Sequence, residues 1–400
     1  MDAAFQKAVP VLEKIIEAGY EAYFVGGSVR DYLLGLPIND VDIATSASPE
    51  EIKSIFPKTI DVGIEHGTVI VLHNHEAYEI TTFRTEGKYE DYRRPSEVHF
   101  VRSLEEDLRR RDFTMNAIAM DKDGKIIDPF GGARSIEKKE IVTVGDPGER
   151  FHEDALRMMR ALRFASKLSF SIHPSTIDAL KKYGHLLKKI SVERICTEFE
   201  KLLLGKNYQK ALQIMVETKL HNYLPCFYQK EKEILAFSKY FLGENFSIEE
   251  YWTFLLFQFQ LEENEIGPFL KKWKLSNKKI SRVKHGLIWL KKRLEQDWDP
   301  VSLYDAKKEI ALSTEKLVNI LNGREACHCI SALEERYEAL PIKDRSELAV
   351  TGKDLMEWRR QRGGPWIETL LRKIEKAVIL KEVINDKARI KEMLASCNQL

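Results

Sequence analysis

The sequence has few cysteines and no long apolar run, and both absences limit the classes of protein it can encode. Its five cysteines among 400 residues form an odd and scattered set, which argues against a disulfide framework and for free thiols in a reducing compartment. Apolar runs stay well below the roughly 20 residues that cross a bilayer, and the first residues lack the blocks of a signal peptide. We therefore expect a cytoplasmic protein with no membrane segment.

Net charge is also almost absent, so charge must be examined locally. The chain has 63 Lys and Arg against 62 Asp and Glu, for a net charge of +1. The segment from Lys271 to Arg293, however, contains ten basic residues and no acidic one. This run is typical of a surface that follows a phosphate backbone. It is equally typical of a solvated helix surface, and the sequence leaves both alternatives open.

Strand and helix patterns divide the chain into two parts. Length and composition favour two or more domains. Short β-rich runs lie at 22–25, 40–43, 67–72, 77–83 and 117–120, with helical patterns between them. After the turn-rich Asp128-Pro129-Phe130-Gly131-Gly132, helical periodicity dominates to the end, in segments such as 191–204, 302–321 and 367–395. The predicted fold class is α+β, with a mixed β-sheet in the head and helices in the remainder.

The first chemical motif combines a glycine turn with paired carboxylates. In Val25-Gly26-Gly27-Ser28-Val29-Arg30-Asp31, a strand, a glycine pair and a helix start let backbone N–H groups approach a triphosphate. Gly27 and Arg30 are the predicted phosphate contacts. Asp40 and Asp42 follow, two residues apart on a predicted strand and therefore on one side of it. Because adjacent carboxylates repel each other, they predict a magnesium site.

A third carboxylate and a cluster of arginines extend this prediction. Two-metal phosphoryl transfer needs a further anionic group, and Glu79, in the strand-like run 78–83, is the candidate. An outward-facing strand glutamate is the alternative. The segment 109–117 places three arginines beside Asp, Thr and Asn side chains. Such a set suits a triphosphate and ribose hydroxyls, and Arg111 is the predicted nucleotide contact.

The segment 153–163 pairs opposite charges at a helical spacing. Asp154 and Arg157 are i,i+3 neighbours on a predicted helix, outside its apolar stripe. An intrahelical ion pair is one explanation. The other is base selection, because an acceptor beside a donor matches the amino group and ring nitrogen of cytosine and adenine and rejects uracil and guanine. Arg160 and Arg163 continue the basic side of this helix and are predicted to reach the phosphates.

Taken in order, these motifs resemble a known family, the bacterial class II CCA-adding tRNA nucleotidyltransferases of the polymerase β superfamily. The glycine motif with Asp40 and Asp42 resembles the family's metal and triphosphate motif, and residues 110–117 resemble its ribose motif. Residues 128–132 resemble its hinge, 153–157 its amino-acid template, and 194–201 its supporting neck helix. Residues 350–355 and 363–367 are similar to the tail of Bacillus-type members.

The resemblance implies a domain order, an activity and its partners. It implies a nucleotidyltransferase head (1–130), a helical neck (131–204), a helical body (205–320) and a helical tail that binds tRNA (321–400). It implies template-free addition and repair of the 3′ CCA of tRNA from CTP and ATP with Mg²⁺, with the acceptor arm along the basic helical face, and it allows a homodimer. Residues 86–95 fall where CCA-adding members carry a flexible loop.

Two other activities stay open at this point. Poly(A) synthesis or addition of A alone belongs to the same branch of the superfamily, although the strongly basic signature of poly(A) polymerases is absent between these motifs. A non-catalytic RNA-binding protein with a nucleotidyltransferase-like head would not need Asp40 and Asp42. Use of CTP would distinguish a CCA-adding enzyme from the first alternative. Magnesium-dependent triphosphate binding would distinguish it from the second.

Overall fold

The computed structural model describes residues 1–62, 67–86 and 98–396. Contacts between residues divide the chain into two compact units. Unit 1 comprises Met1–Lys239 with Lys272–Lys274, and unit 2 comprises Tyr240–Lys271 with Leu275–Leu400. The four predicted domains are a finer division, and their boundaries stay a prediction. The predicted loop at 86–95 lies, apart from Glu86, outside the described residues.

The first part of unit 1 is built on a mixed β-sheet. The described strands are β1 (Ala22–Val25), β2 (Asp42–Thr45), β3 (Thr59–Asp61), β4 (Thr68–His73), β5 (Glu76–Thr82), β6 (Arg84–Glu86), β7 (Val98–Phe100), β8 (Ala119–Met120), β9 (Ile126–Ile127), β10 (Glu140–Ile141) and β11 (Ser171–Ile172). The main sheet has the order β3-β4-β5-β2-β1-β8-β9. Strands β2 and β5 are parallel, and the other neighbours are antiparallel. The predicted mixed sheet is confirmed.

Helices surround this sheet and form the rest of unit 1. They are α1 (Ala3–Glu17), α2 (Gly27–Leu33), α3 (Pro49–Ile55), α4 (Leu104–Arg109), α5 (Gly132–Glu137), α6 (Pro147–Glu153), α7 (Leu156–Leu168), α8 (Pro174–Tyr183), α9 (Val192–Leu203), α10 (Tyr208–Glu217) and α11 (Glu231–Phe237). Short 3-10 helices occupy Thr114–Asn116, Gly184–Lys189 and Leu220–Tyr223.

Helix α1 shows how the sequence pattern sets the local structure. The Asp2 carboxylate accepts a hydrogen bond of 2.8 Å from the Ala4 backbone N–H, which satisfies one of the unpaired donors at the helix start. Apolar residues at helical spacing, among them Phe5 and Leu12, are fully buried. The Phe5 ring lies 4.7 Å from that of Phe24 in β1. Each such side chain contributes about 1.5–3 kcal/mol, so packing on the sheet stabilises the helix.

Unit 2 is helical throughout its described residues. Its helices are α12 (Ile248–Gln258), α13 (Glu263–Lys272), α14 (Asn277–Glu295), α15 (Pro300–Leu321), α16 (Ile330–Glu338), α17 (Gly352–Arg359), α18 (Pro365–Ile379) and α19 (Lys387–Ser396), with a 3-10 helix at Arg345–Glu347. The last residue of α13 belongs to unit 1. Over the described part of the chain, none of the helices combines the length and apolar character that a membrane crossing requires.

Three predicted elements differ from the structure. The strand expected from Asp40 begins only at Asp42. The strand expected over 117–120 is reduced to β8, because a 3-10 helix precedes it. The single helix expected over 367–395 is two helices, α18 and α19. A new start is provided there by Asp386, whose carboxylate accepts hydrogen bonds from the backbone N–H groups of Ala388 and Arg389.

The cysteines in the described residues agree with the expected free thiols. Cys196, Cys226, Cys327 and Cys329 form no disulfide. Cys196 is buried in α9, and Cys327 and Cys329 are exposed.

Candidate active site

The parallel pairing of β2 and β5 creates a carboxylate pair at the centre of the sheet. The register places Asp42 directly opposite Glu79. Successive side chains of a strand point to opposite faces of the sheet. Asp42 and Glu79 therefore lie on the face opposite to Ile43 and Ile80, which are buried in the core. The sequence predicted that the Glu79 strand lies beside the Asp-x-Asp segment, and this placement is confirmed. Glu79 is exposed on its strand, so its chemical role stays a prediction.

Asp42 carries the clearest electrostatic signature of this pair. The pKa of its carboxyl group is raised to about 6, first because the group is buried and second because the negative charge of Glu79 repels its own. Asp40 raises the pKa further, whereas Arg111 opposes the shift. Two carboxylates held together at this energetic cost are a feature of functional sites. A cation between them would relieve the repulsion.

Asp40 occupies a different position from the predicted one. It lies before β2 and is exposed, whereas Asp42 is the first residue of the strand. The predicted strand therefore starts two residues later than expected, at Asp42. Asp40 still lies near enough to raise the pKa of Asp42 by its charge. The segment before the strand brings the third carboxylate to the pair.

The glycine turn between β1 and α2 lets an arginine approach the carboxylates. Gly26 has φ 71° and ψ −129°, in the region that favours glycine. A Cβ atom added to Gly26 would lie 2.8 Å from Nη1 of Arg111 and 3.8 Å from Oδ2 of Asp42. The sequence motif singled out Gly27, which begins α2. The structure assigns the close approach to Gly26, a residue that the prediction missed.

Arg30 is buried, contrary to its expected place on the nucleotide. Its side chain is 4% exposed, and it donates hydrogen bonds of 2.6 Å to Asn116 and 2.8 Å to Asp31. Asn116 in turn donates to Asp112 at 3.0 Å. Arg160, another predicted nucleotide contact, donates to the same Asp112 at 2.7 Å. The two arginines therefore end a buried chain of polar contacts between α2 and α7.

Asp112 is the centre of that chain. Burial alone would raise the pKa of its carboxyl group, but the charge of Arg160 and hydrogen bonds from Asn116 and Arg160 hold the pKa at about 2. Asp112 is thus a charged group in the core, stabilised by its partners. The sequence contained Asp112 in the predicted ribose motif without showing that it connects α2 to α7.

A second buried aspartate, Asp107 in α4, holds the arginines of the cleft. Its Oδ1 accepts hydrogen bonds of 3.0 and 2.8 Å from Arg110, and its Oδ2 accepts one of 3.1 Å from Arg111. Burial raises the pKa of Asp107, but the two arginine charges outweigh it, so the pKa lies below its ordinary value. Asp107 lies three residues before Arg110 and four before Arg111. These helical spacings were a signal that could have identified Asp107 from the sequence.

The predicted base-selecting pair does not lie on one helix. Asp154 follows the end of α6 in an extended conformation, with φ −136° and ψ 102°, and α7 starts at Leu156. Its carboxylate pairs with Arg194 at 2.7 Å. Arg157 pairs with Glu153 at 2.6 Å. The alternative of an intrahelical ion pair between them is therefore wrong, because the helix is interrupted at Asp154 and each side chain has another partner.

Arg163 also has a buried acidic partner. Its guanidinium lies 2.9 Å from Glu198 of α9 and 4.2 Å from the centre of the Phe164 ring. Burial lowers the pKa of Arg163, although the charge of Glu198 counteracts this. Arg163 thus connects α7 to α9 and is 15% exposed.

Asp42, Glu79, Arg110 and Arg111 line one cleft of about 270 Å³. Its walls are formed by Val25, Asp42, Ile43, Thr68, Glu79, Thr81, Arg84, Arg110 and Arg111. Within the described ranges, no three His, Cys, Asp or Glu side chains are gathered closely enough to hold a metal ion by themselves. Mg²⁺ fits this arrangement, because it binds one or two protein carboxylates and takes its other ligands from water and phosphates.

Known proteins match this chain along nearly its whole length. The family model "Poly A polymerase head domain" matches residues 22–142, the model "Probable RNA and SrmB- binding site of polymerase A" matches 169–229, and tRNA nucleotidyltransferase domain 2 matches 244–394. The chain is 50% identical to a CCA-adding enzyme of Bacillus cytotoxicus and 49% identical to one of Bacillus cereus, in each case over 99% of both chains.

A solved structure agrees with these relatives. The crystal structure of the Bacillus stearothermophilus CCA-adding enzyme in complex with CTP matches with a TM-score of 0.94 and 47% identity, and covers 100% of this chain and 98% of that chain. Because the likeness extends over the full length at about half of all positions, the chain belongs to the CCA-adding enzyme family of class II tRNA nucleotidyltransferases.

Proposed function

We propose that this protein builds and repairs the 3′-terminal CCA of tRNA. It adds two C residues from CTP and one A from ATP, without a nucleic-acid template, and releases pyrophosphate. The observation that carries the proposal is the parallel register that sets Asp42 beside Glu79, in a cleft with Arg111. It occurs in a chain that is about half identical to CCA-adding enzymes from end to end.

Divalent metal use follows from membership of the nucleotidyltransferases, and Mg²⁺ is the proposed ion. Asp40 and Asp42 would hold it, with Glu79 assisting. The bound metal would lower the barrier by activating the tRNA 3′-hydroxyl and by stabilising the charge on the departing pyrophosphate. The protein's contribution is to present the carboxylates in one place. The raised pKa of Asp42 shows that the fold does so against electrostatic repulsion.

The nucleotide-binding residues divide into direct contacts and supports. Arg111 lines the cleft next to Asp42, and its buried Nε has no hydrogen-bond partner among the described residues. We assign it to the triphosphate, together with the backbone of Gly27. Arg30, Arg160 and Arg163 have buried acidic or amide partners. Their proposed contribution is to supply positive charge and to hold α7 beside the head. To contact a phosphate directly, each would have to leave its present acidic or amide partner.

Base selection is assigned to Asp154 and Arg157. Arg194 lies 2.7 Å from the Asp154 carboxylate and Glu153 lies 2.6 Å from the Arg157 guanidinium. These partners orient an acceptor and a donor, which is the combination that the Watson–Crick edges of cytosine and adenine require. Uracil and guanine would leave buried polar groups unpaired, at a cost of about 1–3 kcal/mol for each group.

The helical regions are the proposed binding surface for the tRNA acceptor arm. In the basic run, Arg282, Lys284 and Arg293 each pair with a glutamate. Part of the basic charge is therefore neutralised within unit 2, which favours the solvated-surface alternative for those three residues. The head, neck, body and tail boundaries at 130, 204 and 320, a homodimer and a cytoplasmic location remain parts of the proposal.

The decisive experiment is extension of one tRNA supplied without CCA, with CC, or complete. Each form is incubated with Mg²⁺ and CTP alone, ATP alone, or both. We expect two C additions with CTP, one A on the CC form with ATP, and arrest at CCA. A-tailing without use of CTP would support a poly(A) polymerase, and absence of extension would support a binding protein.

A pair of variants connects the activity to the carboxylate site. Asp42→Ala should nearly abolish extension, and wild-type turnover in this variant would disprove the assignment. Asp61→Ala is the matched control, because Asp61 is an exposed aspartate in β3 that pairs only with Lys53 among the described residues. This control should extend tRNA at the wild-type rate.

A further inference from the structure

We propose that Asp107 is a positioning residue for nucleotide binding, acting through Arg111 and Arg110. The proposal rests on the proposed function, because it assigns Arg111 to the triphosphate. Asp107 lies in α4, whose Leu104 and Leu108 belong to the buried cluster formed with the sheet. Its side chain is 1% exposed. A carboxylate is rarely placed in such a position unless its charge is compensated and used.

The two oxygens of Asp107 are divided between the two arginines. Oδ1 accepts two bonds from Arg110 and one of 3.5 Å from the Arg84 backbone N–H, and Oδ2 accepts the bond from Nη2 of Arg111. The other terminal nitrogen of Arg111, Nη1, lies against the backbone of Gly26, 2.8 Å from the point where a Cβ would stand. Asp107 thus holds one end of the guanidinium, and the other end projects over the Gly26 turn, which lies beside Asp42.

Asp107 is also connected to Arg157 through Arg110. Arg110, whose side chain it holds, accepts through its backbone oxygen a hydrogen bond of 2.8 Å from Nη2 of Arg157. A single buried carboxylate therefore bonds to Arg111, the proposed triphosphate contact, and to Arg110, whose backbone oxygen accepts the bond from Arg157. Holding long side chains in one rotamer before the substrate arrives reduces the entropy lost on binding.

Asp107→Asn separates positioning from a purely structural role. An amide has one acceptor oxygen, so one arginine must face an N–H donor. Three of the four bonds converge on Oδ1, two from Arg110 and one from the Arg84 backbone N–H, and the amide oxygen is therefore expected to stay there and release Arg111. Glu105→Gln is the matched control. It removes the same charge from the same helix, and Glu105 forms an exposed pair with Arg109.

The test measures the affinity for CTP by equilibrium dialysis with Mg²⁺ and without tRNA, together with the melting temperature. Asp107→Asn should raise the dissociation constant about 10- to 100-fold, as expected for the loss of a charged hydrogen bond. In an Arg111→Ala background it should cause no further increase. Glu105→Gln should bind CTP like the wild type. Because no tRNA is present, the result is independent of whether the protein completes CCA, which the extension assay decides.

Two results would overturn the proposal. One is unchanged CTP affinity in Asp107→Asn. The other is a loss of affinity that multiplies with that of Arg111→Ala, since this would show that Asp107 acts through the fold and not through Arg111. Should Asp107→Asn fail to fold, Asp107→Glu replaces it. That variant keeps the charge and moves it by one methylene, so CTP affinity should fall with a near-normal melting temperature, and wild-type affinity would again refute positioning.

Discussion

Replacing Asp42 by Asn is expected to stabilise the metal-free protein while it abolishes activity. The native carboxyl group has a pKa of about 6 instead of 3.8, because it is partly buried and is repelled by Glu79. A rise of this size corresponds to about 3 kcal/mol of destabilisation when the group is ionised. Asp42 is only partly buried, and solvent screening reduces the expected gain to about 1–2 kcal/mol.

The pH dependence follows from the direction of the shift. Below pH 3.8 the carboxyl group is protonated in both states, so the variant should gain nothing from its lost charge. As the pH rises from 3.8 to about 6, the unfolded state loses its proton first, and the wild type loses stability relative to the variant. The full difference should be present above about pH 6.

Thermal unfolding in EDTA at pH 8 and pH 4 measures this difference. At pH 8 the melting temperature of Asp42→Asn should exceed that of the wild type by roughly 2–8 °C, from the usual relation for a unit of this size. Added Mg²⁺ should then stabilise the wild type and leave the variant unchanged. An Asp61→Asn control should show neither effect. A variant that melts at or below the wild type in EDTA would refute the reasoning.

Three further predictions concern other parts of unit 1. Asp154→Ala and Arg157→Ala should each reduce discrimination against UTP and GTP by about tenfold or more, as measured by single-nucleotide incorporation; unchanged selection would show that these residues do not choose the base. Asp112→Asn should cost about 3 kcal/mol or more in urea unfolding at pH 7, because a buried arginine loses its partner. This cost should diminish as the pH falls from 3.8 towards 2, the direction set by its lowered pKa, and a constant cost would contradict the ion-pair explanation. Gly132→Ala should lower the free energy of unfolding by about 1–3 kcal/mol, because its Cβ would lie 2.2 Å from the backbone oxygen of Thr114; a melting temperature equal to that of the wild type would disprove the clash.

Local patterns predicted the sheet and its carboxylates well. Alternation of apolar residues is a property of neighbouring positions, and it located β1, β4 and β5 to within one residue at each end. The start of β2 was predicted two residues too early, because the point at which a strand starts to pair depends on its partner strand and not on its own side chains.

The break at Asp154 was not visible in the local pattern. Apolar residues continue at helical spacing across it, so the segment reads as one helix. In the structure the Asp154 carboxylate accepts a hydrogen bond from the Leu156 backbone N–H at 3.0 Å and pairs with Arg194, 40 positions later. The second contact depends on how α9 packs beside α7, which the spacing of neighbouring residues does not contain.

By itself, the sequence determined the chemistry that this protein has available: a glycine turn, carboxylates on strands and arginines in order along the chain. Only the tertiary structure decided which arginine serves the cleft. Arg30 and Arg111 have the same side chain, yet Arg30 is buried against Asn116, 86 positions away, while Asp107 directs Arg111 over Gly26. The physical reason is that a buried charge must find its partner wherever packing brings one, and packing joins residues that are distant in sequence.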